Sequence, residues 1–338
     1  MSISRAARVT ALAVLTAVAV GLAACGESGG GADGKLTIYS GRIQALIGPA
    51  IDIYEKKAGA DVDVRYGDSP SLSATLVEEG KNSRADLFYS QDAGSLDAIE
   101  QAGNLEQLPQ DILDRVPAEY RSRDGRWVGV TARARVLAYG DKVKPSELPD
   151  SPLELTQPKW RGRVGWAPTN ASLQGYITAL RLVEGEDVAR TWLTGMVAND
   201  VQVYDGNVPI RDAIAKGEID VGLLNHYYVA EAQAEDPNYP VKVHFPTKDL
   251  GSLVNVAGVG VLASSKRKDK AIEFVRTMVE RPAQEYFSES SKEYPLIEGV
   301  EPEKELTPLD EIPKPDIDLA NLGDLKGTLE LMRDTGAL

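Results

Sequence analysis

Two adjacent tyrosines, Tyr227 and Tyr228, follow His226 in the stretch "NHYYVAEAQAE". The chain has 13 tyrosines and two histidines in 338 residues, the other histidine being His244. Either the pair packs, or two phenol oxygens are offered to something that wants oxygen. The preceding run "IDVGLL" reads as an apolar strand, and neighbours on a strand point to opposite faces. Adjacent tyrosines therefore share a target only where the strand gives way to a turn or helix, and that is where they stand. Phenol ionises near pH 10, so neutral tyrosine is a poor ligand until a hard, highly charged cation drives its proton off. Ferric iron is the candidate. One cysteine and two histidines argue against zinc or copper.

Two asparagine turns, "PTNAS" (Asn170, Ala171, Ser172) and "DGNVP" (Asn207), each precede a helical pattern. Asparagine caps helices and proline is tolerated in their first turn, so capping is one reading. The other is an anion cradle, since free amides and the positive end of the helix dipole meet there. Arg133 and Arg135 lie in "TARARV". They are either solvated or paired with acids, or one reaches a cleft anion such as carbonate.

The elements that must position these residues follow from periodicity. "KLTIYSGR", "ADVDVRYGD" and "ADLFYSQ" read as strands, separated by helices in "IQALIGPAIDIYEKKAG" and "SPSLSATLVEEGKNS", the latter with a serine cap. This alternation predicts a parallel α/β sheet whose ligands sit off the carboxyl strand ends. Those ends carry Ser40-Gly41-Arg42, Tyr66-Gly67-Asp68 and Ser90-Gln91-Asp92. "GRWVGVTARARVLAYG" and "SLVNVAGVGVLASS" are extended runs, read as crossings between two lobes with a cleft between them. Lobe 1 is expected over 35–131 and about 256–290, and lobe 2 over 132–255 and about 291–338. "KDKAIEFVRTMVERPAQEYFSES" reads as an amphipathic helical stretch, and "EKELTPLDEIPKPDIDL" as a surface wrap.

The first 24 residues have Arg5 and Arg8, an apolar run, then "LAAC" ending at Cys25. That is a signal-peptide layout whose lone cysteine is expected to carry lipid and anchor the chain outside the cytoplasm, in a periplasm or on the outer face of a single membrane. Residues 25–34 read as a flexible tether. Losing residues 1–24 removes two arginines and no acid, moving the formal charge from −14 to −16. Such a surface repels phosphate backbones, which excludes nucleic acid as a natural partner. A monomer is expected.

"LTIYSGR", "EEGKNSRADLFYSQDAG", "LTQPKWRGRVGWAPTNAS", "GEIDVGLLNHYY" and "KEYPL", in this order, resemble the ferric-iron-binding proteins of bacterial ABC importers, the bacterial-transferrin branch of the periplasmic binding proteins. The resemblance runs from Leu36 to about Leu296. It implies a type II two-lobe fold with two hinge crossings, iron in the cleft, and a permease with its ATPase as partners. It places the iron ligands at Tyr227 and Tyr228, an anion-holding turn at Asn170, Ala171 and Ser172, and supporting asparagines at Asn207 and Asn225. The anion would be carbonate, phosphate or another. His226 becomes a ligand or a supporting neighbour. Members carry a histidine where Ile43 stands and a glutamate where Gln91 stands, which leaves lobe 1 without a matched ligand. Asp92 and Tyr66 are the substitutes at hand.

Two other readings compete. The same fold could stack a small organic ligand, thiamine-like, polyamine or phosphonate, on the tyrosine pair. An enzyme is the third, but the chain has no HExxH, no nucleophile–base pair in a motif setting and little imidazole for acid–base work.

Overall fold

The computed structural model describes residues 34–338; the leader, Cys25 and the tether up to Asp33 lie outside the described residues. The chain opens with β1 (Leu36–Ser40), α1 (Gln44–Ala58), β2 (Val62–Tyr66), α2 (Ser69–Glu79), β3 (Leu87–Ser90) and α3 (Ala93–Gln101). β1 lies between β2 and β3, parallel to both. Helix α1 stops at Gly59, whose φ of 61° is left-handed and whose N–H reaches the Glu55 carbonyl. The cap of α2 is Asp68, not a serine: its carboxylate accepts the Ser71 N–H at 2.9 Å.

A short α4 (Gln110–Leu113) leads into β4 (Trp127–Gly140), fourteen residues all buried. Then come β5 (Val164–Trp166), α5 (Ala171–Val183), α6 (Glu186–Ala198), β6 (Gln202–Val203), α7 (Asn207–Ala215), β7 (Val221–Asn225), α8 (Tyr227–Glu235), β8 (Val241–His244) and β9 (Val254–Val261). The expected long C-terminal helical stretch is two helices, α9 (Lys268–Met278) and α10 (Arg281–Glu289). Pro282 explains the break: it lacks an N–H and is tolerated only in a first turn, where α10 has it. β10 (Tyr294–Pro295) and α11 (Leu325–Asp334) complete the chain.

The strand order is β2-β1-β3-β9-β4-β7-β5-β6. Two parallel groups, β2-β1-β3 and β7-β5-β6, are the sheets of two lobes, joined through the antiparallel strands β9 and β4. β4 changes partner midway. Trp127–Ala134 pair with β9, and from Arg135 onward the partners are β7 and β8. The two extended crossings read in the sequence are therefore paired with each other, with Arg133 and Arg135 at the change of partner. β10 pairs with the first half of β4 at Thr131 and Ala132, while α11 packs on α5. The 291–338 segment thus touches both groups.

The core explains the firmness of this frame. One buried apolar cluster runs through both lobes and includes Trp127, Trp160, Trp166 and Trp192. A second, with Ile210, Ile214, Leu224 and Val229, seats β7 and α8 against α7. Each such side chain contributes about 1.5–3 kcal/mol on burial, so the junction bearing the tyrosines rests on its own anchorage. Among the described residues no helix is long and apolar enough to cross a membrane.

Candidate functional site

β7 is buried along its length and ends at Asn225, which pairs with Arg135 of β4. His226 then takes helical angles, φ −54° and ψ −41°, and α8 begins at Tyr227. The strand-to-helix junction falls where adjacent tyrosines need it. Their rings lie 4.2 Å apart at 34°. Tyr227 is fully buried and Tyr228 half-buried. The Tyr227 hydroxyl has no well-formed hydrogen bond, although it lies close enough to that of Tyr228 for the two to influence each other's ionisation. Burial raises both phenols above the usual tyrosine range; Arg42 opposes the rise in each. Both are protonated at neutral pH, so a cation must displace their protons to bind.

His226 is settled by its partners. Its Nδ1 accepts the Ala134 N–H at 3.2 Å and its Nε2 donates to the Lys292 carbonyl at 3.1 Å. This fixes the neutral tautomer protonated on Nε2 and leaves no ring lone pair for a metal. Burial pushes its pKa down to about 3. The ring stacks on Tyr294 at 4.6 Å and meets Tyr227 edge-on at 5.9 Å. With both ring nitrogens engaged, His226 packs against Tyr227 and Tyr294 and has no free donor atom in this arrangement.

The two asparagine turns part company. Asn170 caps α5, its Oδ1 accepting the Ser172 N–H at 3.0 Å, with Ala171 buried as the first helical residue. Asn207 instead lies within α7 as its first residue, 3% exposed, and neither atom of its side-chain amide has a partner. Such a group normally costs about 1–3 kcal/mol, so its presence points to something it is meant to bind.

Ser172 collects the polar groups around it. Its Oγ accepts from Arg133 Nη2 at 3.2 Å, Asn225 Nδ2 at 3.2 Å and Gln91 Nε2 at 3.3 Å. Arg135 Nη1 donates to Asn225 Oδ1 at 3.3 Å. Arg133 retains two nitrogens without partners and Arg135 one, and both side chains are buried. Burial lowers both guanidiniums; Arg42 adds to this for Arg133, and Arg133 for Arg135, which falls to about 10. Among the described residues neither arginine has a carboxylate at ion-pair distance. Buried cations with spare donors are the chemistry that recognises an anion.

The first-lobe strand ends behave differently. Ile43 is 60% exposed at the start of α1 and offers no donor. Gln91 spends its amide on Ser172, a direct bond between the lobes. Asp92 caps α3, accepting from Ser95 N–H and Ser95 Oγ, both at 2.8 Å. Tyr66 ends the edge strand β2 and is 39% exposed.

The sequence reading missed Arg42 and Glu293 as a unit. Arg42 makes a two-pronged bond to Glu293, Nη1 to Oε1 at 2.9 Å and Nη2 to Oε2 at 2.7 Å, both side chains buried. Burial alone would lower the arginine; the Glu293 carboxylate outweighs it and raises the pKa instead. Lys292, just before, has a left-handed φ of 54° that turns α10 toward β10. The signals existed, Arg42 in "SGR" and Glu293 in "KEYPL", but nothing in one chain says that positions 251 apart meet.

A cavity of about 500 Å³ lies against α8, lined by His226, Val229, Gln233, Phe245, Lys292 and Tyr294 among others. Neither Tyr227 nor Tyr228 lines it. The buried polar cluster around Ser172 lies outside it as well. Among the described residues no three His, Cys, Asp or Glu side chains are grouped to hold a metal.

This is the arrangement of a solute receptor: two α/β lobes, joined by paired crossings, with unpartnered polar groups between them. Residues 82–320 match the family of bacterial extracellular solute-binding proteins, and the chain belongs to it. It is a binding protein, not an enzyme. It is 32% identical to the Fe(3+)-binding periplasmic protein of Serratia marcescens, over 93% of this chain and 94% of that one. Among solved structures it is similar to iron-bound HitA from Pseudomonas aeruginosa, at TM-score 0.84 and 35% identity, covering 89% of this chain and 99% of that one. The Trichodesmium protein IdiA (FutA), in complex with iron and citrate ligands, matches at TM-score 0.74 and 32% identity over 90% and 99%.

Proposed function

We propose that this chain is an extracytoplasmic receptor that binds ferric iron in the cleft and delivers it to an ABC importer. The observation that carries the reading is the buried, unpartnered Tyr227 hydroxyl beside Tyr228 at the head of α8. Tyr227 and Tyr228 bind the metal as tyrosinates. Arg133, Arg135, Ser172 and Asn207 hold an anion such as carbonate or phosphate against it, with Asn225 and the Asn170–Ala171 turn keeping Ser172 in place. Cys25 carries the lipid that keeps the mature, monomeric chain near its permease and ATPase. The iron-binding relatives named above support this reading.

A small organic ligand stacked on the tyrosines is the weaker reading. Tyr227 has no exposed surface, and its ring is met by His226 on one side and Tyr228 on another, leaving no face to stack on.

The test is a visible absorption titration of residues 26–338, stripped of metal and given ferric iron from a weak chelate, with and without carbonate and phosphate. A tyrosinate-to-iron colour is expected, with affinity falling more than about 100-fold in Tyr227→Phe and in Tyr228→Phe, beyond what loss of a supporting residue costs. A colourless protein under every anion would sink tyrosinate binding.

A further inference from the structure

We propose that the Glu231 carboxylate is a third protein ligand to the ferric ion, carried on the same helix as the tyrosine pair. The inference rests on the ferric reading of the site and goes beyond it by naming the residue that completes the protein's share of the charge.

Helix geometry brings the three together. Residues three and four apart share a face of an α-helix, so Glu231 lies on the face of Tyr228 and Tyr227. Helical side chains lean toward the N-terminus, which directs the carboxylate back over the tyrosines and the cleft. Its charged neighbours are Glu293, Arg211, Arg42 and, one turn on, Glu235, and Tyr228 in turn feels its charge.

Glu231 is half-buried yet has no hydrogen bond or ion pair among the described residues. Both nearby cations are already engaged. Arg42 is clamped on Glu293, and Arg211 holds Asp212 and the Tyr228 carbonyl. A half-buried carboxylate one helical turn from a fully buried hydroxyl without a partner puts two hard oxygen donors on one face of α8.

The charge balance favours the same assignment. Two tyrosinates leave one positive charge on a ferric ion, and the first-lobe positions Ile43, Gln91 and Asp92 do not cancel it. Ile43 is apolar, Gln91 is neutral and Asp92 is committed to its helix cap. Glu231 brings the metal and its protein ligands to neutrality. Arg42 and Glu293 cancel each other, and Arg133 with Arg135 would then be matched by a dianion.

The test compares Glu231→Gln, Glu231→Asp and Glu235→Gln with the natural chain in ferric titrations against a competing chelator. Glu235 is exposed one turn further on and controls for a general loss of negative charge. Apo thermal unfolding shows that each variant is folded. Glu231→Gln should lose at least about tenfold in ferric affinity. Its tyrosinate-to-iron band should shift to longer wavelength, because a neutral donor leaves the metal more electron-poor. Glu231→Asp should recover part of both, and Glu235→Gln, which removes only a like charge one turn away, should change each far less than Glu231→Gln does. If Glu231→Gln keeps the natural affinity and band while Tyr227→Phe and Tyr228→Phe lose theirs, the assignment of Glu231 is overturned and the tyrosine site stands. If the natural chain itself shows no colour, the ferric reading falls and the assignment with it.

Discussion

The two sides of the cleft use similar strand ends for opposite purposes. On the first lobe, Arg42, Gln91 and Asp92 are all spent: on Glu293, on Ser172 and on the cap of α3. On the second lobe and the crossing strand, Tyr227, Asn207, Arg133 and Arg135 keep buried polar atoms without partners. An unpaired buried polar group is costly, and a ligand that pairs such groups recovers that cost. On the proposed reading of the site, the receiving surface is built almost entirely on one lobe. The other supplies a lid of satisfied groups, with Gln91 as the direct link across.

If that asymmetry is right, the largest effect should come from pH. Both tyrosines hold their protons more tightly than free phenol does, so binding must expel two. Apparent ferric affinity should therefore rise with pH and fall at least about 100-fold for each unit of acidification, two tyrosine protons at tenfold each, and more steeply where Glu231, pushed up to about 7 by burial, also takes a proton. Chelator competition between pH 5.5 and 7.5, corrected for the chelator's own protons, measures the slope. A slope of one would mean that only one tyrosinate binds.

Next comes the satisfied side. Glu293→Gln leaves the Arg42 guanidinium buried without its counter-charge and should cost about 3–5 kcal/mol of stability, read by urea unfolding. A loss below about 1 kcal/mol would mean that Arg42 finds another partner and that the first lobe is less tightly knit than its contacts imply.

The smallest effect divides the two asparagines. Asn170→Ala removes a cap and should cost about 1 kcal/mol in the metal-free protein. Asn207→Ala removes an amide that bonds to nothing, and should cost the metal-free protein no stability while weakening ferric binding in the presence of the anion. Equal destabilisation by both would erase the distinction between cap and cradle.

Much of the frame was legible in the sequence because periodicity is a local property. The alternation of strand and helix, the two extended crossings and the strand end at Asn225 all follow from patterns within about ten residues. The tyrosine pair was legible for the same reason, since the junction that aims both rings is written beside them. Helix caps were less so. Asp68 and the serines after it are equally plausible, and the choice depends on backbone angles that the tertiary fold imposes.

The rest required the folded chain. Asn170 and Asn207 look alike in sequence, and only packing left one capping and the other unpaired. His226 could have been a ligand until Ala134 and Lys292, from distant strands and turns, occupied both its nitrogens. Arg42 and Glu293 meet across almost the whole chain. Residue type and spacing determined which chemistry this protein can hold: oxygen donors at a strand-to-helix junction in an acidic, cysteine-poor chain. Tertiary structure decided which of those donors remain free, because a polar group's availability depends on every neighbour that could satisfy it first.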